Sequence, residues 1–223
     1  MKKLLLILAF ILPPITRAQE AASIQIRVLC FERDATGIDK LSVIRPDKST
    51  IDLKFPESFF SPKTKVPVVE GKVGFYNPAN LAGPPIAIAS IPAGMKSGIV
   101  MFFPVDGGKD NLAYRTSVVD ASIEGIPQDG ALIINLFDKE VRVVIGEHRL
   151  ILKPRKSAAV ARPKDRNDYN MAPVVFLAEV NGEWKTASET LVRFPEKLQQ
   201  LFVSYPDAQS KRLSFRAYQI GDF

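Results

Sequence analysis

No stretch of this chain keeps apolar residues at helical spacing with capping residues at both ends, and that constrains the fold more than any motif does. Apolar residues alternate instead in short runs, punctuated by proline, glycine, aspartate and asparagine. Runs at 24–31, 41–44 and 51–55 read as strands, with Pro46-Asp47-Lys48-Ser49 turning between the second and third. Further runs fall at 66–76, 86–90, 98–103 and 112–119; the longest contains Gly71 and Gly74, which predict a hairpin or a bulge. The pattern resumes at 131–137, 141–145 and 149–152, with Gly146-Glu147 at a hairpin tip, then at 174–180, 184–191, 201–205 and 213–220. Asn181-Gly182 is the strongest hairpin signal, because a two-residue type I′ turn requires positive φ at both positions. Only the segment 196–201, after Pro195, has room for a single helical turn.

Two segments about 101 residues apart resemble one another. Phe103-Pro104, Asp106, Leu112 and Tyr114-Arg115 align, with one gap, on Tyr205-Pro206, Asp207, Leu213 and Phe215-Arg216. Each reads as a strand ending in an aromatic and a proline, a polar turn, and a return strand. The spacing matches the roughly 100 residues of an immunoglobulin-like sandwich. The expectation is an all-β chain of two tandem immunoglobulin-like antiparallel β-sandwiches, at 19–122 and 130–223, joined by a linker near 121–129.

The first eighteen residues carry a separate message. Lys2 and Lys3 precede an apolar run at 4–12, then Pro13-Pro14 and Thr16-Arg17-Ala18. That is the order of a secretory signal peptide, and the run falls short of the roughly 20 residues a bilayer span needs. Residues 1–18 are therefore expected to be cleaved, leaving a periplasmic or extracellular protein with no transmembrane anchor. Lys2, Lys3 and Arg17 leave with them, so 27 of the 30 basic residues remain against 24 acidic ones, a net charge of +3. So modest a charge does not call for a nucleic acid partner. Cys30, the single cysteine, permits no internal disulfide; it sits in the alternation Ile24, Ile26, Val28, Cys30 and reads as a buried apolar residue.

Familiar chemistry is not written here. The chain has no nucleophile elbow, dinucleotide fingerprint, phosphate loop or calcium loop, and one cysteine with one histidine cannot make a zinc pattern; no cofactor is expected. Glu147-His148 could in principle be a carboxylate-steered base, but adjacent strand residues point to opposite faces, so the expectation is a solvated turn. A carboxylate-pair enzyme needs no motif and stays open. Phe59-Phe60 is expected to plug a sandwich end, and Trp184 to lie in a core.

Charge is uneven in one place. The segment 139–168 holds nine basic against four acidic residues, and Lys153, Arg155, Lys156, Arg162, Lys164 and Arg166 form its candidate basic binding surface. Such a surface would attract an acidic envelope polysaccharide or an envelope protein; ordinary edge strands also carry lysine and arginine to discourage pairing. The plan of export signal, about 200 mature residues and two β-sandwiches is similar to that of periplasmic pilus chaperones, a likeness of architecture that covers no motif. Three functions are thus in view: a non-catalytic binding or structural module of the cell envelope, which leads; a carboxylate-pair hydrolase of envelope or extracellular polysaccharide; and a chaperone-like protein using an exposed edge strand.

Overall fold

Short alternating runs bounded by turn residues make strands, and the computed structural model contains no helix among the residues it describes. These are residues 22–33, 37–105, 112–120, 127, 129–207, 210 and 212–220. The expected signal peptide and nearly all of the expected linker lie outside them. The first half contributes β1 (Ser23–Cys30), β2 (Lys40–Ile44), β3 (Thr50–Lys54), β4 (Thr64–Pro67), β5 (Lys72–Phe75), β6 (Ala87–Ser90), β7 (Ser97–Pro104) and β8 (Tyr114–Asp120). The second contributes β9 (Ala131–Asn135), β10 (Val141–Ile145), β11 (His148–Leu152), β12 (Ser157–Val160), β13 (Met171–Val180), β14 (Glu183–Arg193), β15 (Gln199–Pro206) and β16 (Leu213–Ile220).

The turns form where their residues demand. Asn181 (φ 55°) and Gly182 (φ 81°) close the β13–β14 hairpin between Val180 and Glu183. Glu70 and Gly71, both at positive φ, split the long run at 66–76 into β4 and β5. No helical turn follows Pro195: Lys197 takes positive φ (63°), and the chain enters β15 at Gln199 because Gln200 and Leu201 are buried in the sheet.

Strand order repeats between the halves. One sheet of the first half runs β4-β1-β7-β8, and its counterpart runs β12-β9-β15-β16. The hairpins β2–β3 and β5–β6 are joined by reciprocal bonds between Ser42 and Tyr76 (2.9 and 2.8 Å), giving the order β3-β2-β5-β6. Its counterpart runs β11-β10-β13-β14. The sheets are not wholly antiparallel as expected, since β1 pairs in parallel with β7, and β9 with β15. Non-local pairs of this kind leave no turn signature between their strands, which is why alternation alone missed them.

Burial accounts for the parallel pairs. Ile24, Ile26, Val28, Cys30, Val100 and Phe102 face β2, β3, β5 and β6 in a first core. Val143, Phe176, Phe194 and Phe202 anchor a second core between the sheets of the other half. A third cluster joins the halves: Leu29, Phe31, Ile99 and Met101 pack on Leu132, Ile134, Leu201, Val203 and Tyr218. The central strands are therefore covered on both faces, and they carry the continuous apolar runs that such strands need, as in Ile99-Val100-Met101-Phe102-Phe103. Each fully buried side chain of this cluster is worth about 1.5–3 kcal/mol, so the junction is a core in its own right.

Three single residues sharpen the picture. Phe60 is buried and meets Tyr218 at 5.7 Å between ring centres, whereas its neighbour Phe59 is 61% exposed. Cys30 is buried in the first core. Trp184 does not enter a core; it is half-buried on the outward face of its sheet, with the Arg142 guanidinium 4.0 Å from its ring centre.

Candidate functional site

Phe31 organises a place where the two halves leave a large opening. Its ring meets Phe103 at the end of β7 (4.8 Å) and Tyr205 at the end of β15 (4.5 Å, edge-on). The two repeated aromatic–proline strand ends thus converge on a single residue just past β1. Beside them lies a cleft of about 1000 Å³, floored by Phe31, Phe103, Pro104, Tyr205 and Pro206. One wall is the run Arg115 to Asp120 of β8; the other is Pro154 to Ser157, leading into β12. Arg115, Arg155 and Lys156 bring positive charge to the cleft, and Glu32, Asp120 and Asp138 bring negative charge. The Arg115 guanidinium lies 5.6 Å from the Phe103 ring centre, a cation–π placement that holds it at the rim.

The repeat is offset from its sequence alignment. Pro104 pairs with Tyr114 and Pro206 with Leu213, so Tyr114 corresponds to Leu213 rather than to Phe215. An even shift keeps every side chain on its own face, and Arg115 and Arg216 both remain on the side that meets the other half.

Sequence reasoning missed the residue that builds the cationic wall. Asn135, fully buried at the end of β9, donates through Nδ2 to the carbonyls of Lys139 and Leu152, both at 2.9 Å. Its Oδ1 accepts from the Phe137 amide (2.9 Å) and the Ser204 hydroxyl (3.0 Å). Its main chain donates to Lys156 (2.9 Å) and accepts from Arg155 (2.8 Å). The main chain of Asn135 thus holds the turn that carries Arg155 and Lys156 to the cleft, while its side chain, every polar valence satisfied, ties the strand end to Lys139, Leu152, Phe137 and Ser204. The only signal in the sequence is an amide ending the apolar run Ala131-Leu-Ile-Ile-Asn135. Arg155 itself holds positive φ (59°), a conformation that costs a side chain about 1–2 kcal/mol.

The six basic residues do not share one environment. Lys153, Arg155 and Lys156 lie on the β11–β12 turn, and the latter two line the cleft. Arg162 is a clamp: its Nε donates to the Phe194 carbonyl (3.0 Å), one terminal nitrogen to Asn170 (3.1 Å), and the other lies 3.6 Å from Glu196. Lys164 and Arg166 belong to the loop before β13. That loop is fastened by Glu147, which proves to be more than a solvated turn residue. Its carboxylate accepts the amide of Lys164 (2.8 and 3.0 Å) and that of Asp165 (3.2 Å). The Lys164 amide is the main reason its pKa falls to about 2. His148 stands 3.5 Å away on the same carboxylate.

Among the described residues, no three His, Cys, Asp or Glu side chains gather as a metal-ligating group. Among the described residues there is no helix long and apolar enough to cross a membrane. No protein-family model matches the chain, and no curated protein matches its sequence.

Proposed function

We propose that this protein is an exported, non-catalytic binding module of the cell envelope, periplasmic or extracellular, whose ligand occupies the cleft beside Phe31. The reading includes cleavage of residues 1–18 and two tandem immunoglobulin-like sandwiches at 19–122 and 130–223. One observation supports it above the others: aromatic strand ends from both halves meet at Phe31 and floor an opening of about 1000 Å³. Specific sites are commonly concave, apolar at the base and edged by a few polar groups. Arg115, Arg155 and Lys156 supply those polar groups, and an acidic polysaccharide or an acidic stretch of an envelope protein would complement them.

A thermal-shift and calorimetric screen of the mature protein against envelope glycans and peptides tests this. A ligand that binds wild type saturably should be lost on Phe103→Ala. Binding that survives that change places the site elsewhere.

Glu32, Asp120 and Asp138 in the same cleft support a second reading, a carboxylate-pair hydrolase of envelope polysaccharide. Release of reducing ends by wild type, abolished by Asp120→Asn or Asp138→Asn, would favour it over the binding module. Polysaccharide left intact by wild type removes it.

A further inference from the structure

We infer that the outer face of the β11-β10-β13-β14 sheet is a dimer interface, on which a second copy of this chain packs face to face about a two-fold axis running along the strands. The surface is separate from the cleft. This sheet lies on the far side of its half from the junction, which the other sheet makes through β9 and β15.

Alternation decides which side chains the face carries. Val143 and Phe176 are fully buried in the second core, so their neighbours Val144, Val175 and Leu177 point the opposite way. Ile151, opposite Arg142, and Leu191, opposite Pro173, share that outward side and are 60% and 55% exposed. None of these five apolar side chains packs into any of the three cores. An antiparallel sheet with one solvated face ordinarily turns its polar residues outward. The first half follows that rule at the equivalent place: Lys40 stands opposite Lys54, and the Ser42 hydroxyl donates to Asp52 across the hairpin (2.8 Å). One architecture thus carries a polar outer face in one half and an apolar one in the other. A contiguous exposed apolar patch of this kind marks an interaction surface.

Charge names the occupant. One row across the sheet reads Arg149, Val144, Val175, Glu189, each residue paired with the next. Arg149 and Glu189 stand on opposite edge strands, three strand spacings or about 14 Å apart. Neither forms an ion pair among the described residues. A two-fold axis between β10 and β13 turns this row onto itself. Val144 then meets the partner's Val175, and Arg149 meets the partner's Glu189 at both rims. Such self-complementarity is what an isologous interface requires, and sheets aligned face to face are an ordinary way of packing. An unrelated partner would need no basic–apolar–apolar–acidic order.

Sedimentation equilibrium of the mature protein tests this, and it should find a monomer–dimer equilibrium at micromolar concentration. Val175→Glu lies on the outward side, disturbs neither core, and should raise the dissociation constant about tenfold or more by placing charge beside the axis. Arg149→Glu and Glu189→Arg should each raise it about tenfold, because like charges then meet at both rims. The two changes together should bring it back to within about threefold of wild type. The two positions lie too far apart within one chain for an internal contact to produce that recovery. If Val175→Glu fails to fold, the charge exchange decides alone. A monomer at every concentration overturns the proposal and leaves the face to a partner of another kind. A dimer indifferent to the single reversals, or not recovered by the double exchange, is built on another surface and overturns it as well.

Discussion

The Arg216 guanidinium donates to the carbonyl of Phe31 and lies over its ring, 4.7 Å from the centre. Arg216 belongs to the last strand and Phe31 follows the first, so one side chain ties the two ends of the described chain together. It also approaches the Tyr205 ring at 5.7 Å. The residue that organises the cleft floor is thus locked from the opposite side.

Removing this lock should loosen the junction without unfolding either core. Arg216→Met keeps much of the bulk but loses the charged hydrogen bond, usually worth about 1.5–3 kcal/mol, and the cation–π contact. Urea denaturation should show a loss of about 2–3 kcal/mol. An unchanged midpoint would mean that the apolar cluster alone holds the halves.

Asn135→Ala should be among the most destabilising single changes in the second half. It strands the carbonyl of Leu152 and the amide of Phe137 in a buried site, at about 1–3 kcal/mol for each unsatisfied group, and leaves the part-buried carbonyl of Lys139 without this donor. A drop below about 2 kcal/mol by chemical denaturation would show that water replaces the amide there.

Glu147 gives a pH signature of definite sign. Its folded pKa, about 2, lies below the ordinary 4.5, so its contribution is complete above 4.5 and disappears as pH falls toward 2. Glu147→Gln should cancel that part of the acid dependence and speed proteolysis within 162–170. Identical acid titrations of the two proteins would remove Glu147 as the fastener.

The basic residues should separate by position. Arg155→Glu with Lys156→Glu should reduce binding of a cleft ligand and make what remains less sensitive to salt, whereas Lys164→Glu should change neither. Arg155→Gly relieves the positive φ, so it should weaken binding while leaving the thermal midpoint equal or slightly higher. Equal effects of Lys164→Glu and the double reversal, read by calorimetry in two salt concentrations, would restore the single-surface view.

Export has its own direct check. Intact mass and N-terminal sequencing of the native protein should find Gln19, or a residue close to it, as the first residue. A product still beginning at Met1 in the cytosol refutes it.

What the residues disclosed in advance was local. Asn181-Gly182, Gly146-Glu147 and the alternation along β1 located hairpins and faces because a turn or a pleat depends on neighbours in the chain. The parallel partners of β1 and β9 lie about 70 residues away, and nothing local encodes them. The cleft was hidden for the same reason: Phe31, Phe103 and Tyr205 look like three ordinary strand ends until the sheets stack. Strand β12 has no expected strand at its place, since Ser157-Ala-Ala-Val160 is too short and too small to stand out among lysines and arginines. Trp184 was misplaced because a core is the usual home of that ring, whereas here Arg142 covers it.

The parallel pairing also dictates how this chain must come into being. A protein threaded N-terminus first presents β1 early, with Leu29 and Phe31 on one face and Val28 and Cys30 on the other. Its parallel neighbour β7 arrives only some 70 residues later, and the apolar cover for its second face only with β9 and β15. Closure of such distant contacts is slow. The first strand to emerge is therefore among the last to be fully sheltered, and the nascent chain carries an apolar segment exposed for most of its synthesis.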